Sequence, residues 1–171
     1  MELILTILAD DKPGITEKLA AVIEQHQGNW LESRLARMAG KFAGIVRVQV
    51  ATNEAAALQT ALLPLKQEGL SIQVEAADSV ADDTLSNLTI QVVEVVGNDR
   101  PGIVRQVTNV LASIGANLID IKTEIEPASM SGGNLFKALI KFTLQDEQNL
   151  IQITDALEAL SPDLMVDTDQ R

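Results

Sequence analysis

Asp11-Lys12-Pro13-Gly14-Ile15 recurs 88 residues later as Asp99-Arg100-Pro101-Gly102-Ile103, in a chain of 171 residues. At the same spacing Asn29 falls on Asn117 and the acid Glu32 on Asp120, and each Asn follows closely on a glycine, Gly28 or Gly115. A repeat that spans both halves of a chain means one supersecondary plan used twice. After this point the second copy runs longer, because Phe42 matches Phe136 at a spacing of 94. The extra residues fall within 127–134, Pro-Ala-Ser-Met-Ser-Gly-Gly-Asn, which has the composition of a loop.

Each copy reads as strand, helix, strand, strand, helix, strand. In the first, the apolar run Leu3 to Leu8 ends at Ala9-Asp10-Asp11, and Ile15, Leu19, Val22 and Ile23 then lie on one helical face. Gly28 stops that helix. Trp30 to Met38 follows as a strand, and strict alternation sets Leu31 and Leu35 on one face with Trp30, Glu32 and Arg34 on the other. Phe42 to Val50 turns Val46, Val48 and Val50 inward. A helix bearing Leu58, Leu62 and Leu65, shortened or kinked by Pro64, and a strand Ser71 to Glu75 complete the unit. The second copy repeats the plan with strands at Leu88 to Val96, Leu118 to Ile125, Leu135 to Leu144 and Leu164 to Val166. Its helices carry Ile103, Val107, Val110, Leu111 and Ile114, then Leu150, Ile153, Leu157 and Leu160.

Right-handed crossovers close a βαββαβ unit into an antiparallel sheet with both helices on one face. The expected fold class is therefore α+β: two ferredoxin-like modules, 1–77 and 88–171, joined by a polar, acidic linker at 78–87. The open face of the second sheet should show Asp120, Lys122, Glu124, Lys137 and Lys141. That of the first should show Trp30, a residue type that partner interfaces favour, which makes Trp30 the candidate for docking a protein.

Charge and composition narrow the function. The chain holds 24 acids against 13 bases, a formal net charge of −11, with 46% hydrophobic residues. That apolar content suits a folded protein, and so acidic a chain is repelled by nucleic acid. No uninterrupted apolar stretch reaches the roughly 18 residues of a membrane span, so a cytoplasmic protein is expected. There is no Cys, no Tyr and a single His, His26, which leaves few groups for nucleophilic, acid–base or metal chemistry. The acid pairs Asp10-Asp11 and Asp82-Asp83 lack the further oxygen ligands of a calcium loop. The expectation is a protein that is not an enzyme, with no cofactor and no metal.

The repeated loop has chemistry of its own. Proline before a helix presets its backbone, and the following glycine lets another group approach closely. Asp11 and Asp99 can cap the first turn, which is the structural use of such a loop. The alternative use is reception of a small carboxylate by the free N–H groups near Gly14-Ile15 and Gly102-Ile103, at the positive end of a helix. Asn29 and Asn117, expected beside these turns, offer donor and acceptor together and so suit a zwitterion.

The pattern Asp-x-Pro-Gly-Ile after an apolar strand, with Asn opening the second strand, resembles the ACT domain, an amino-acid-sensing regulatory module. Among families built from two such modules, the chain resembles the glycine cleavage system transcriptional repressors. The resemblance implies an effector, glycine or a similar small amino acid, held between the first loop of one module and the second strand of a paired module. On this chain the implied positions are Asp11, Gly14, Ile15 and Asn29, and Asp99, Gly102, Ile103 and Asn117. Serine-binding members resemble this loop but place a His where the chain has Ala9 and Gly97. Also implied are a homo-oligomer and repression through a transcriptional activator protein rather than by contact with DNA. The alternative is a detached regulatory subunit of an amino-acid-metabolising enzyme.

Overall fold

A computed structural model describes residues 1–77, 89–128, 132–144 and 149–168. The chain divides into two compact units, Met1–Ser79 and Val80–Arg171. The expected linker, 78–87, lies outside the described residues, as do Asp82 and Asp83.

In the first unit the order is β1 (Glu2–Asp10), α1 (Ile15–Gln25), β2 (Asn29–Met38), β3 (Lys41–Gln49), α2 (Ala55–Leu62) and β4 (Leu70–Ala76). The strands form an antiparallel sheet in the order β2-β3-β1-β4. Ile15, Leu19 and Ile23 of α1 and Leu58 and Leu62 of α2 are buried against Leu3, Leu5, Ile7, Val46 and Val48, so one sheet face takes both helices. Pro64 acts as expected: α2 ends at Leu62, and a tighter 3-10 turn, Leu63–Glu68, leads to β4.

The second unit repeats this with β5 (Ile90–Asn98), α3 (Ile103–Ser113), β6 (Asn117–Pro127), β7 (Asn134–Thr143), α4 (Asn149–Glu158) and β8 (Met165–Asp167), in the sheet order β6-β7-β5-β8. Its core gathers Val93, Val95, Val107, Leu111, Ile140, Phe142, Ile153 and Leu157. Phe42 stands opposite Ala9 and Phe136 opposite Gly97, so the two phenylalanines hold equivalent places. The extra residues of the second copy enlarge the β6–β7 connection, where the N–H of Ala128 donates to the carbonyl of Gly133 at 2.9 Å.

One expectation about faces is corrected. The register of β2 against β3 jumps between Trp30, opposite Val48, and Glu32, opposite Arg47. Leu31 is the extra residue of a β-bulge, and a bulge reverses the alternation on one side of itself. Trp30 therefore lies half-buried against the first core, on the same face as Leu35 rather than opposite to it. The same bulge falls between Leu118 and Asp120 in β6. On the open face of the second sheet, Asp120, Lys122 and Glu124 oppose Lys141, Leu139 and Lys137, as alternation predicted.

Candidate functional site

Both repeated loops end in a glycine in the left-handed region, Gly14 and Gly102, each with φ +87°. An L side chain is strained there, which explains the glycine on backbone grounds alone. The Gly14 carbonyl accepts the N–H of Lys18 and that of Gly102 the N–H of Gln106, both at 3.0 Å. Neither helix start is capped by a side chain, so Asp11 and Asp99 do not take the capping role. Asp11 forms an ion pair with Arg37 of β2 instead. Its N–H donates to Gly40 (3.0 Å), and the N–H of Asp99 to Asn134 (2.9 Å), which ties each loop to the neighbouring hairpin.

Asp11, Gly14 and Ile15 thus share one end of the first module, and Asp99, Gly102 and Ile103 the matching end of the second. The asparagines do not join them. Asn29 opposes Gln49, itself opposite Glu2, whereas Met38, Lys41 and Asp10 form the row at the loop end. At about 3.3 Å per residue, roughly 26 Å of strand separates those two rows. The helix carries the chain the length of the sheet before β2 begins, so Asn29 does not sit beside the loop of its own module. Asn117, opposite Thr143, is placed in the same way.

Beside the first loop a depression is lined by Asp10, Lys12, Pro13, Ile15, Lys18, Glu68, Gly69 and Leu70. Lys18 pairs with Glu68, whose carboxylate holds the Lys18 pKa above its usual value. Lys41 pairs with Asp10 and holds the Asp10 carboxyl below its usual value. At the second loop, Arg100 Nη1 donates to Gln106 Oε1 at 2.6 Å. Asp163 accepts the Ser161 hydroxyl and, at 2.8 Å, the backbone N–H of Asn98. These bonds, the hydroxyl first, lower the Asp163 pKa to about 2.

Arg37, Gly69 and Asp163 carried no signal in the motif itself. Comparison of the two copies position by position would have found them, since Arg37 matches Ile125 and Gly69 matches Asp163. His26 ends α1, with Nδ1 3.8 Å from Glu54 Oε2, at the opposite end of that helix from the first loop. Among the described residues no group of three or more His, Cys, Asp or Glu could hold a metal ion, and no helix is long and apolar enough to cross a membrane.

No curated protein matches the chain. A solved structure of an unknown protein from Galdieria sulphuraria is similar, with a TM-score of 0.80 and 27% identity, covering 97% of this chain and 95% of that one. The structure of a candidate glycine cleavage system transcriptional repressor matches with a TM-score of 0.68 and 19% identity over 98% of each chain, a likeness of fold. The model of the ACT domain matches residues 2–76 and again residues 89–169. Matched over nearly its whole length, in two copies with the same strand order and the same bulge, the chain belongs to the ACT-domain family and carries two such domains in tandem.

Proposed function

We propose that this protein is an amino-acid-responsive regulator that represses the glycine cleavage system by docking on a transcriptional activator protein. The observation that carries the reading is the duplicated loop, a left-handed glycine opening a helix in each ACT domain. The first-turn amides of such a loop receive the carboxylate of glycine or a similar small amino acid, with the loop's aspartate near its ammonium group. Because Asn29 and Asn117 lie far from the loops of their own modules, a paired module supplies the asparagine, and in this reading it belongs to a second copy of the chain. The effector thereby favours a homo-oligomer.

Action through a protein follows from charge. A net −11 opposes approach to a duplex, so the regulator reaches DNA on a partner. Trp30, half-buried on the helix side, is the lesser candidate for that docking. The exposed Leu8, Ile45 and Met38 on the open face of the first sheet are the better one.

The test is a thermal-shift screen of the twenty amino acids, followed by capture of partners from lysate in the presence of any amino acid that binds. A ligand of the folded state raises the transition temperature by mass action. A shift with glycine, alanine or serine and capture of a transcriptional activator support the reading. Capture of an amino-acid-metabolising enzyme supports the regulatory-subunit alternative. No shift with any amino acid overturns both.

A further inference from the structure

The two loops are alike in backbone and unlike in what surrounds them. In the first module the residue leading into β4 is Gly69, and the depression beside the loop opens over it. That depression measures about 70 Å³, where a single water needs about 10–15 Å³, so it holds roughly five small atoms. In the second module the corresponding residue is Asp163. The equivalence follows from register, since Ile7 opposes Ile72 in the first sheet and Val95 opposes Val166 in the second. Asp163 sends its carboxylate to the N–H of Asn98, at the end of β5 where the loop begins.

A second difference lies on the other side of the loops. Arg37 stands opposite Phe42 and pairs with Asp11, so the acid of the first loop is neutralised. Its counterpart opposite Phe136 is Ile125, which brings no cation to Asp99. A ligand carboxylate arriving at the second loop meets Asp163 and Asp99 against Arg100, whereas at the first it meets Lys12 beside acids already paired, Asp10 with Lys41, Asp11 with Arg37 and Glu68 with Lys18.

We infer that only the first module receives the amino-acid effector, and that Asp163 sets a built-in carboxylate at the N–H of Asn98, in the space beside the second loop that corresponds to the depression of the first module. This rests on the amino-acid reading proposed above and adds which loop responds. The second module then serves as a fixed partner, held in one state by its own side chain.

The test is isothermal titration of the full chain with glycine, L-alanine and L-serine, with circular dichroism as the check on folding. The wild type should bind one ligand per chain. Gly69→Asp, which closes the first depression at a left-handed position that Asp tolerates, should weaken binding about tenfold or more through like-charge repulsion. The double variant Asp163→Gly with Ile125→Arg should bind a second ligand. Two equal sites in the wild type, or full-affinity binding by Gly69→Asp, overturn the inference and leave the amino-acid reading standing. Should Gly69→Asp fail to fold, the double variant decides, and a single site there overturns the role of Asp163. No binding of any of the three acids by any variant removes the amino-acid reading and this inference with it.

Discussion

Trp30 and Val48 face each other across β2 and β3, on the side of the sheet that carries the helices. The bulge at Leu31 makes this possible, and it converts the single Trp of the chain from a surface residue into part of the first core's rim. Trp30→Ala should therefore cost stability, about 2 kcal/mol for a half-buried aromatic, read from urea unfolding. Leu31→Ala, at the exposed bulge, should cost less than about 1 kcal/mol.

Gly14 and Gly44 should respond to Ala for different reasons. At Gly14 a Cβ meets nothing within 4 Å, but φ is +87°, so Gly14→Ala costs only the left-handed strain, about 1–2 kcal/mol. At Gly44 in β3 a Cβ would lie 2.0 Å from the carbonyl oxygen of Arg34. Gly44→Ala must push β2 away from β3 and should cost about 3 kcal/mol or more. Gly14→Asn, which tolerates the left-handed region, should recover part of the loss at that position, and Gly44→Asn none. Denaturation midpoints of the four variants check this ordering.

Asp163 predicts an acid limb in the stability of the second module. Its pKa is lowered from 3.8 to about 2 by the Ser161 hydroxyl and the Asn98 N–H, so the folded state favours the ionised form. The stabilisation is present above the unfolded pKa and is lost as pH falls through the folded one, between about pH 4 and pH 2. Asp163→Asn should remove that limb, as should Ser161→Ala in part. Carboxyl NMR titration, with thermal melts across the same window, measures both.

The charge distribution predicts the behaviour with DNA. The purified chain should not retard a duplex in a gel at physiological salt, because its formal net charge of −11 opposes approach to the phosphates. Ile45→Glu, on the open face of the first sheet, should weaken entry into a complex formed by a transcriptional activator while leaving amino-acid affinity within about twofold, since the site is remote from the loop. Supershift and calorimetry read the two effects separately.

Nearly everything periodic or repeated was legible from the residues alone. The spacing between the Pro-Gly loops declared two modules, and the spacing of Ile15, Leu19 and Ile23 and the alternation of Val46 and Val48 declared the helix and the strand, because such patterns are local consequences of backbone geometry. Pro64 likewise announced the end of α2. The resemblance to the ACT domain rested on this same short-range pattern, and the family match over both halves agrees with it. What the tertiary structure decided is non-local. Strict alternation cannot see a bulge, which exists only in the pairing of one strand with another, so the face of Trp30 waited for the register. Nor does proximity in sequence order state which end of a sheet a residue occupies, and the length of α1 carries Asn29 away from the loop that precedes it. The pairing of Arg37 with Asp11, and the carboxylate of Asp163 at the second loop, arise where strands and turns distant in sequence meet.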